Sequence, residues 1–283
     1  MTAFASATPF PHSPSQSLRK PLLSSRGRPI KWHISHSTRA SLQPPPDANA
    51  LLEKLKGGVQ HTQMLALVLL PQLPSKQAVS LLYESGVLDS ENRQVRLTAV
   101  ATLGKLGVPH EANRLVTVLK DDSDDYSVRA AAANALGYLL PGSGDGSGLV
   151  GEALSALVDV ATGDDHFILK YAAIVTIGNL GDKSAMDTLI PIAQNPASLP
   201  LEAAAAVTAI GEISAVDMVE ASVVDVVISR AADREDLVRA AVAKTLKLWV
   251  TVERAASALA RMKTDEEKYG QSDFVRAILN IAD

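Results

Sequence analysis

The chain has 283 residues, 47% of them hydrophobic and 20% charged, with a formal net charge of -4 and no cysteine, which excludes disulfides, thiolate metal sites and cysteine nucleophiles. No 18-residue apolar run is present to cross a membrane. Six of the 27 basic residues and none of the 31 acidic ones fall in residues 1–46, so the remainder is near -10, which excludes nucleic-acid binding through a general basic field.

Residues 1–46 differ in composition from everything that follows. They carry nine serines, eight prolines and no carboxylate, with the first basic residue only at Arg19. Such a segment cannot bury enough apolar surface to offset the entropy of ordering. An acid-free, Ser- and Arg-rich N-terminus has the composition of an organelle transit peptide, and the uncharged opening Met1-Thr2-Ala3 favours a plastid over a mitochondrion. The expected compartment is the chloroplast, in its stroma, with cleavage near Arg39-Ala40-Ser41. An ordinary disordered tail is the alternative.

From Leu51 to Asp283 the chain is periodic. The first unit, around residues 65–73, keeps the apolar pattern but has Gln63 where later units have arginine, as an end unit does. Residues 93–104 then form a cassette with Val95-Arg96 near its start and Leu103-Gly104 at its end, and residues 126–137 repeat it with every landmark moved by 33. Gly178 and Gly211 end two further copies. The step from Gly137 to Gly178 is 41 because a Gly-rich insertion occupies residues 141–148. Val238-Arg239 opens a copy that ends in Lys247 in place of glycine, and Val275-Arg276 begins a last one. Between cassettes lie other amphipathic segments, such as residues 112–119 and 153–160, with apolar residues at helical spacing.

Each unit is therefore a helical hairpin that cannot bury its apolar face alone and must stack on its neighbours. The predicted fold is all-α, an α-solenoid of about six hairpins, some degenerate, over residues 51–283. Alanine dominates the second helices, for example Ala130 to Ala133 and Ala203 to Ala206, which lets neighbouring helices approach closely. Asp124, Asp125, Asp164 and Asp165 suit helix N-termini. The glycine closing each cassette is expected to be a left-handed C-terminal cap. The β-branched run 223–228 falls in a first-helix slot of the period and is predicted to be helical.

The Val-Arg pairs at Arg96, Arg129, Arg239 and Arg276, with Ala131-Ala132-Ala133-Asn134-Ala135-Leu136-Gly137 as the best copy, resemble HEAT repeats, in particular the short variety of the phycobilin (PBS) lyase family. Leu169-Lys170 and Glu202-Ala203 depart from the pattern and interrupt the basic series. The resemblance implies an extended concave surface lined by second helices and a protein partner held there. The runner-up function that it implies is one in which a bilin or another tetrapyrrole is held as a lyase or pigment chaperone would hold it. A structural subunit of a larger photosynthetic or ribosomal assembly is a third possibility.

Residues with chemical potential are few. Arg96, Arg129, Arg239 and Arg276 are expected to form a structural ladder between units through carboxylates, rather than an anion site. The run 121–125 holds four aspartates but lacks the central glycine and terminal glutamate of a calcium loop, so an inter-helix turn is expected. No Lys-Ser/Thr follows the Gly-rich insertion, which removes a phosphate-cradling loop. Deoxyhypusine hydroxylases, HEAT-like iron enzymes, use repeated His-Glu pairs; His110-Glu111 is a single one. His166 is expected in a helix-capping region, and no nucleophile, base and orienter set can be assembled. No catalytic residue, metal ligand or cofactor is assigned, and a lyase-like activity is the one enzymatic alternative. The leading reading is a non-catalytic scaffold or adaptor, serving assembly or turnover of photosynthetic complexes. Its partner-surface candidates, Asn134, Tyr138, Lys170, Tyr171 and Asn179, break the aliphatic monotony of the second helices.

Overall fold

The structure, a computed structural model, describes residues 46–140, 148–163, 165–214, 219–270 and 272–281. The expected transit peptide (all but Pro46), the insertion up to Ser147, and Asp164 lie outside the described residues. Among the described residues fourteen α-helices form seven hairpins and no strand occurs. The first helices are α1 (Ala48–Lys56), α3 (Ser75–Ser85), α5 (Ala112–Lys120), α7 (Gly148–Thr162), α9 (Met186–Gln194), α11 (Ala221–Ile228) and α13 (Glu253–Tyr269). Their respective second helices are α2 (Gln60–Leu69), α4 (Arg93–Lys105), α6 (Tyr126–Leu139), α8 (Phe167–Leu180), α10 (Pro200–Ser214), α12 (Asp236–Leu248) and α14 (Asp273–Leu279).

Short polar side chains start several of the second helices by accepting from backbone N–H groups that no intrahelical carbonyl reaches. Asn92 caps α4 through Gln94 N (3.0 Å) and Asp125 caps α6 through Ser127 N (2.8 Å). His166 caps α8, its Nδ1 accepting from Ile168 N at 3.3 Å. The valine-rich run 223–228 is helical, as its place in the period predicts. Val223, Val224, Val226 and Val227 are all buried, and packing outweighs their weak helix preference.

Second helices pack on second helices in one close row, from α4 through α12, while successive first helices touch sparsely. The second-helix row is therefore the closely packed inner row of the stack, with the first helices outside it. The cassette glycines make this row, and in doing so they overturn the expectation that they cap helices. Gly104, Gly137, Gly178 and Gly211 are buried inside α4, α6, α8 and α10. A Cβ on Gly104 would lie 2.5 Å from Ala135 Cβ, one on Gly178 2.8 Å from Ala209 Cβ, and one on Gly211 2.8 Å from Thr245 Cγ2. Each glycine thus seats the residue two positions before the next cassette's end. Where that residue is threonine it also bonds across the row: Thr176 Oγ1 donates to Ala133 O (3.0 Å) and Thr245 Oγ1 to Val207 O (3.2 Å). The left-handed turns after helices belong to other glycines, Gly86, Gly107 and Gly181, with φ of 70°, 66° and 71°.

Candidate functional site

The inner row leaves one stripe of each second helix open, and the five surface candidates divide into two groups on it. Asn134 and Tyr138 lie one turn apart on α6, both exposed, and Asn179 of α8 reaches toward them, its Nδ2 lying 3.5 Å from where a Gly137 Cβ would be. Lys170 and Tyr171 sit near the other end of α8, about 12 Å away along its axis at 1.5 Å per residue. Glu212 of α10, which sequence reasoning passed over, lies across Gly178 in the same way that Asn179 lies across Gly137. Burial pushes its carboxyl above the ordinary glutamate range.

Sequence reasoning also missed the apolar character of the start of α8. Phe167 (45% exposed), Ile168 (40%) and Tyr171 (37%) present large apolar surface there, with Leu199 (47%) ahead of α10. The ring of His166 stacks between Tyr126 (centroids 3.8 Å apart) and Phe167 (4.6 Å), tying this end of α8 to α6. A run of apolar residues at −11, −10 and −7 from the cassette glycine is the available signal, since only two of those three slots face the core in an ordinary helix stripe.

The arginines form rungs between hairpins. Arg96, fourth residue of α4, grips Asp124 in the turn before α6, through Nε (3.2 Å) and Nη2 (2.5 Å), while its Nη1 donates to Ser90 O at 2.7 Å. The bonds to Asp124 hold its guanidinium above its ordinary pKa. Arg129, fourth residue of α6, pairs with Asp165 before α8 at 2.8 Å and with Asp122 at 3.0 Å, and donates to Leu119 O. Arg239 pairs with Asp236 (2.7 Å) and with Glu266 of α13 (3.1 Å); burial pulls its pKa down, but these carboxylates raise it overall. Arg276 holds the equivalent fourth position of α14. Lys170 occupies the same register in α8 and makes no ion pair among the described residues. Ser198 stands where Asp124 and Asp165 stand in the earlier turns, and its hydroxyl donates to Ile192 O (2.9 Å).

The acidic run 121–125 is absorbed by these contacts and by turn bonds. Asp121 accepts from Ser123, Asp122 and Asp124 take the arginines, and Asp125 caps α6 while pairing with Arg93 (3.2 Å). His110 lies 3.5 Å from Glu111, whose buried carboxylate also accepts from the Tyr83 hydroxyl. Burial first, then that carboxylate, pushes the Tyr83 pKa up to about 12. Among the described residues no three His, Asp or Glu side chains converge as metal ligands would, and no helix is long and apolar enough to cross a membrane.

A cavity of about 960 Å³ opens between α12 and α13, a volume within the range of small-molecule sites. Its wall carries Asp233, Asp236, Glu253, Asp265 and Glu266 against Arg239, Arg254 and Arg261. Arg239 is committed to Asp236 and Glu266, and Arg254 to Asp225 (2.6 Å). A tetrapyrrole carrying two propionates would meet more carboxylate than free guanidinium here, so the residues of this cavity do not fit that group.

Stacked two-helix units with a glycine-seated inner row and inter-unit arginine rungs define a helical-repeat solenoid. The family model described as HEAT repeats matches residues 48–137 and 123–207, and the chain belongs to this family. Over 121 residues it is 31% identical to the bilin biosynthesis protein PecE of Nostoc sp. (strain PCC 7120 / SAG 25.82 / UTEX 2576), a match covering 41% of this chain and 44% of that protein. The chain thus spans less than half the length of this curated relative. Among solved structures it is similar to the complex of CpcE and CpcF of phycocyanin lyase from Nostoc sp. PCC7120, at 20% identity and a TM-score of 0.49, covering 87% of this chain and 97% of that one. It is also similar to human deoxyhypusine hydroxylase in complex with glycerol, at 14% identity and a TM-score of 0.34, covering 83% and 93%.

Proposed function

We propose that this HEAT-repeat chain is a non-catalytic adaptor that binds another protein along its inner second-helix row, in the chloroplast stroma. The observation that carries this reading is the open stripe itself. It is populated by the exposed side chains of Asn134, Tyr138, Tyr171 and Asn179, and the glycine seats pack the row closely beneath it. Aromatic and amide side chains on a rigid support are what protein recognition uses, since they offer area and hydrogen bonds at little entropic cost. The acid-free composition of residues 1–46 supports the compartment. A second reading, handling of a bilin or related tetrapyrrole, is favoured by the similarity to a bilin biosynthesis protein.

One experiment separates the two. The full chain, wild type and Asn134→Ala/Tyr138→Ala, is immobilised and passed over stromal extract, and in parallel is titrated with an open-chain bilin. A protein retained by wild type and released by the double variant supports the adaptor. A saturable absorbance shift with bilin, and no retained protein that the variant releases, replaces it with the second reading.

A further inference from the structure

The rungs recur at α4, α6 and α12; the fourth residue is not basic in α2 (Gln63) or α10 (Ala203), and α8 keeps the cation without its carboxylate among the described residues. In α4, α6 and α12 the fourth residue is an arginine that pairs with a carboxylate from the following hairpin: Arg96 with Asp124, Arg129 with Asp165, Arg239 with Glu266. At α8 the cation remains as Lys170, half-buried, but the next turn offers Ser198, already bonded to Ile192 O, and no carboxylate reaches the ammonium among the described residues. A second observation coincides with this break. Phe167, Ile168, Tyr171 and Leu199 are exposed around it, whereas the matching positions of α6 are Tyr126, Ser127 and Ala130, half-buried or buried, and α10 has Pro200, Leu201 and Ala204 there. The open rung and this apolar cluster occupy the same end of the same helix.

We propose that the rung at Lys170 is completed in trans: a protein partner places an Asp or Glu carboxylate on the Lys170 ammonium and packs apolar side chains against Phe167, Ile168, Tyr171 and Leu199. Charge complementarity selects this occupant. The completed rungs show which group the register accepts, and apolar neighbours lower the local dielectric, so the pair gains strength as the partner excludes water. Arg129 and Asp165 are already paired beside the cluster, so among the described residues Lys170 is the local cation left for an incoming anion. The inference rests on reading the second-helix row as a protein-binding surface, and it adds the chemistry of the bound segment.

The test is selection of random 12-residue peptides displayed on phage against the full-length chain, followed by anisotropy titration of the enriched peptides. Wild type is expected to enrich peptides that combine Asp or Glu with Leu, Ile or Phe. Lys170→Glu is expected to weaken them about fivefold or more, the scale of a well-placed ion pair, and to enrich basic peptides on reselection. Ile168→Ser is expected to weaken acidic and basic peptides alike, with helical circular dichroism unchanged in both variants. Enriched peptides without acidic bias, or with a bias that Lys170→Glu leaves intact, overturn the proposal. Basic peptides that bind wild type and are lost on Glu212→Gln overturn it in favour of a cationic partner. Peptides sensitive to Tyr138→Ala but not to Lys170→Glu remove the rung and leave the adaptor reading standing, whereas enrichment insensitive to every one of these variants removes both.

Discussion

At the scale of single residues, the polar side chains between helices cap helix starts and take arginines, and Asp125 does both. Asp125 accepts from the Ser127 hydroxyl and then from its backbone N–H, with Arg93 adding attraction, and these hold its carboxyl down to about 2 against a small opposing effect of burial. Its folded pKa therefore lies below the unfolded value of about 3.9, so its stabilisation is complete above that value and is lost as pH falls through about 2. Asp125→Ala is expected to cost about 1 kcal/mol at pH 7, as loss of a helix cap does. Thermal melts of variant and wild type should converge between pH 4 and pH 2; a gap that stays constant across that window would remove the carboxylate's charge from the account. Aspartates ahead of second helices were legible as N-terminal residues in the sequence. Which aspartate takes Arg96 and which caps α6 while taking Arg93 was not, because Asp124 and Asp125 differ only in the direction the turn gives them.

At the scale of elements, the helix-to-helix seats carry the design. Gly104 has a buried partner with no room to give, since an added Cβ would meet both Ala135 Cβ and, at 2.8 Å, Ala135 Cα. Gly107, three residues on, has φ of 66° and open space around it. Gly104→Ala is expected to destabilise by about 1–3 kcal/mol through overpacking, and Gly107→Ala by about 1–2 kcal/mol through left-handed strain. Ala135→Gly should recover part of the first loss and none of the second. A double-variant cycle on thermal midpoints reads this, and equal response of both glycines to Ala135→Gly would refute the seat. The cassette spacing located these glycines correctly, yet a glycine ending an apolar run looks the same whether it turns the chain or admits a neighbour. Leu106-Gly107 after Gly104 was the clue that the cap lay further on.

At the scale of the whole stack, each hairpin touches only its neighbours, so stability is a sum of unit and interface contributions. The inner row is closest between α4 and α12 and thins at α2 and α14, where a second helix has a neighbour on one side. Hydrogen exchange is expected to be fastest in α2 and α14 and slowest in α6, α8 and α10. Uniform exchange across the row would mean that the stack opens as a single unit rather than fraying from its ends.

The sequence by itself determined the two-helix unit, its period, the helicity of the valine-rich run and the register of the cations. These depend on residues within a turn or two of one another, where 3.6-residue periodicity and capping act. Only the tertiary structure decided that the cassette glycines are seats, that Arg239 finds Glu266 within a helix rather than a carboxylate in a turn, and that Lys170 meets no carboxylate among the described residues. Partners in these contacts lie some 27 residues apart at Arg239 and Glu266 and 39 at Gly137 and Thr176. The angle and offset at which one hairpin settles on the next fix them, and that step is set by the packing of whole helix faces, not by any local run of residues.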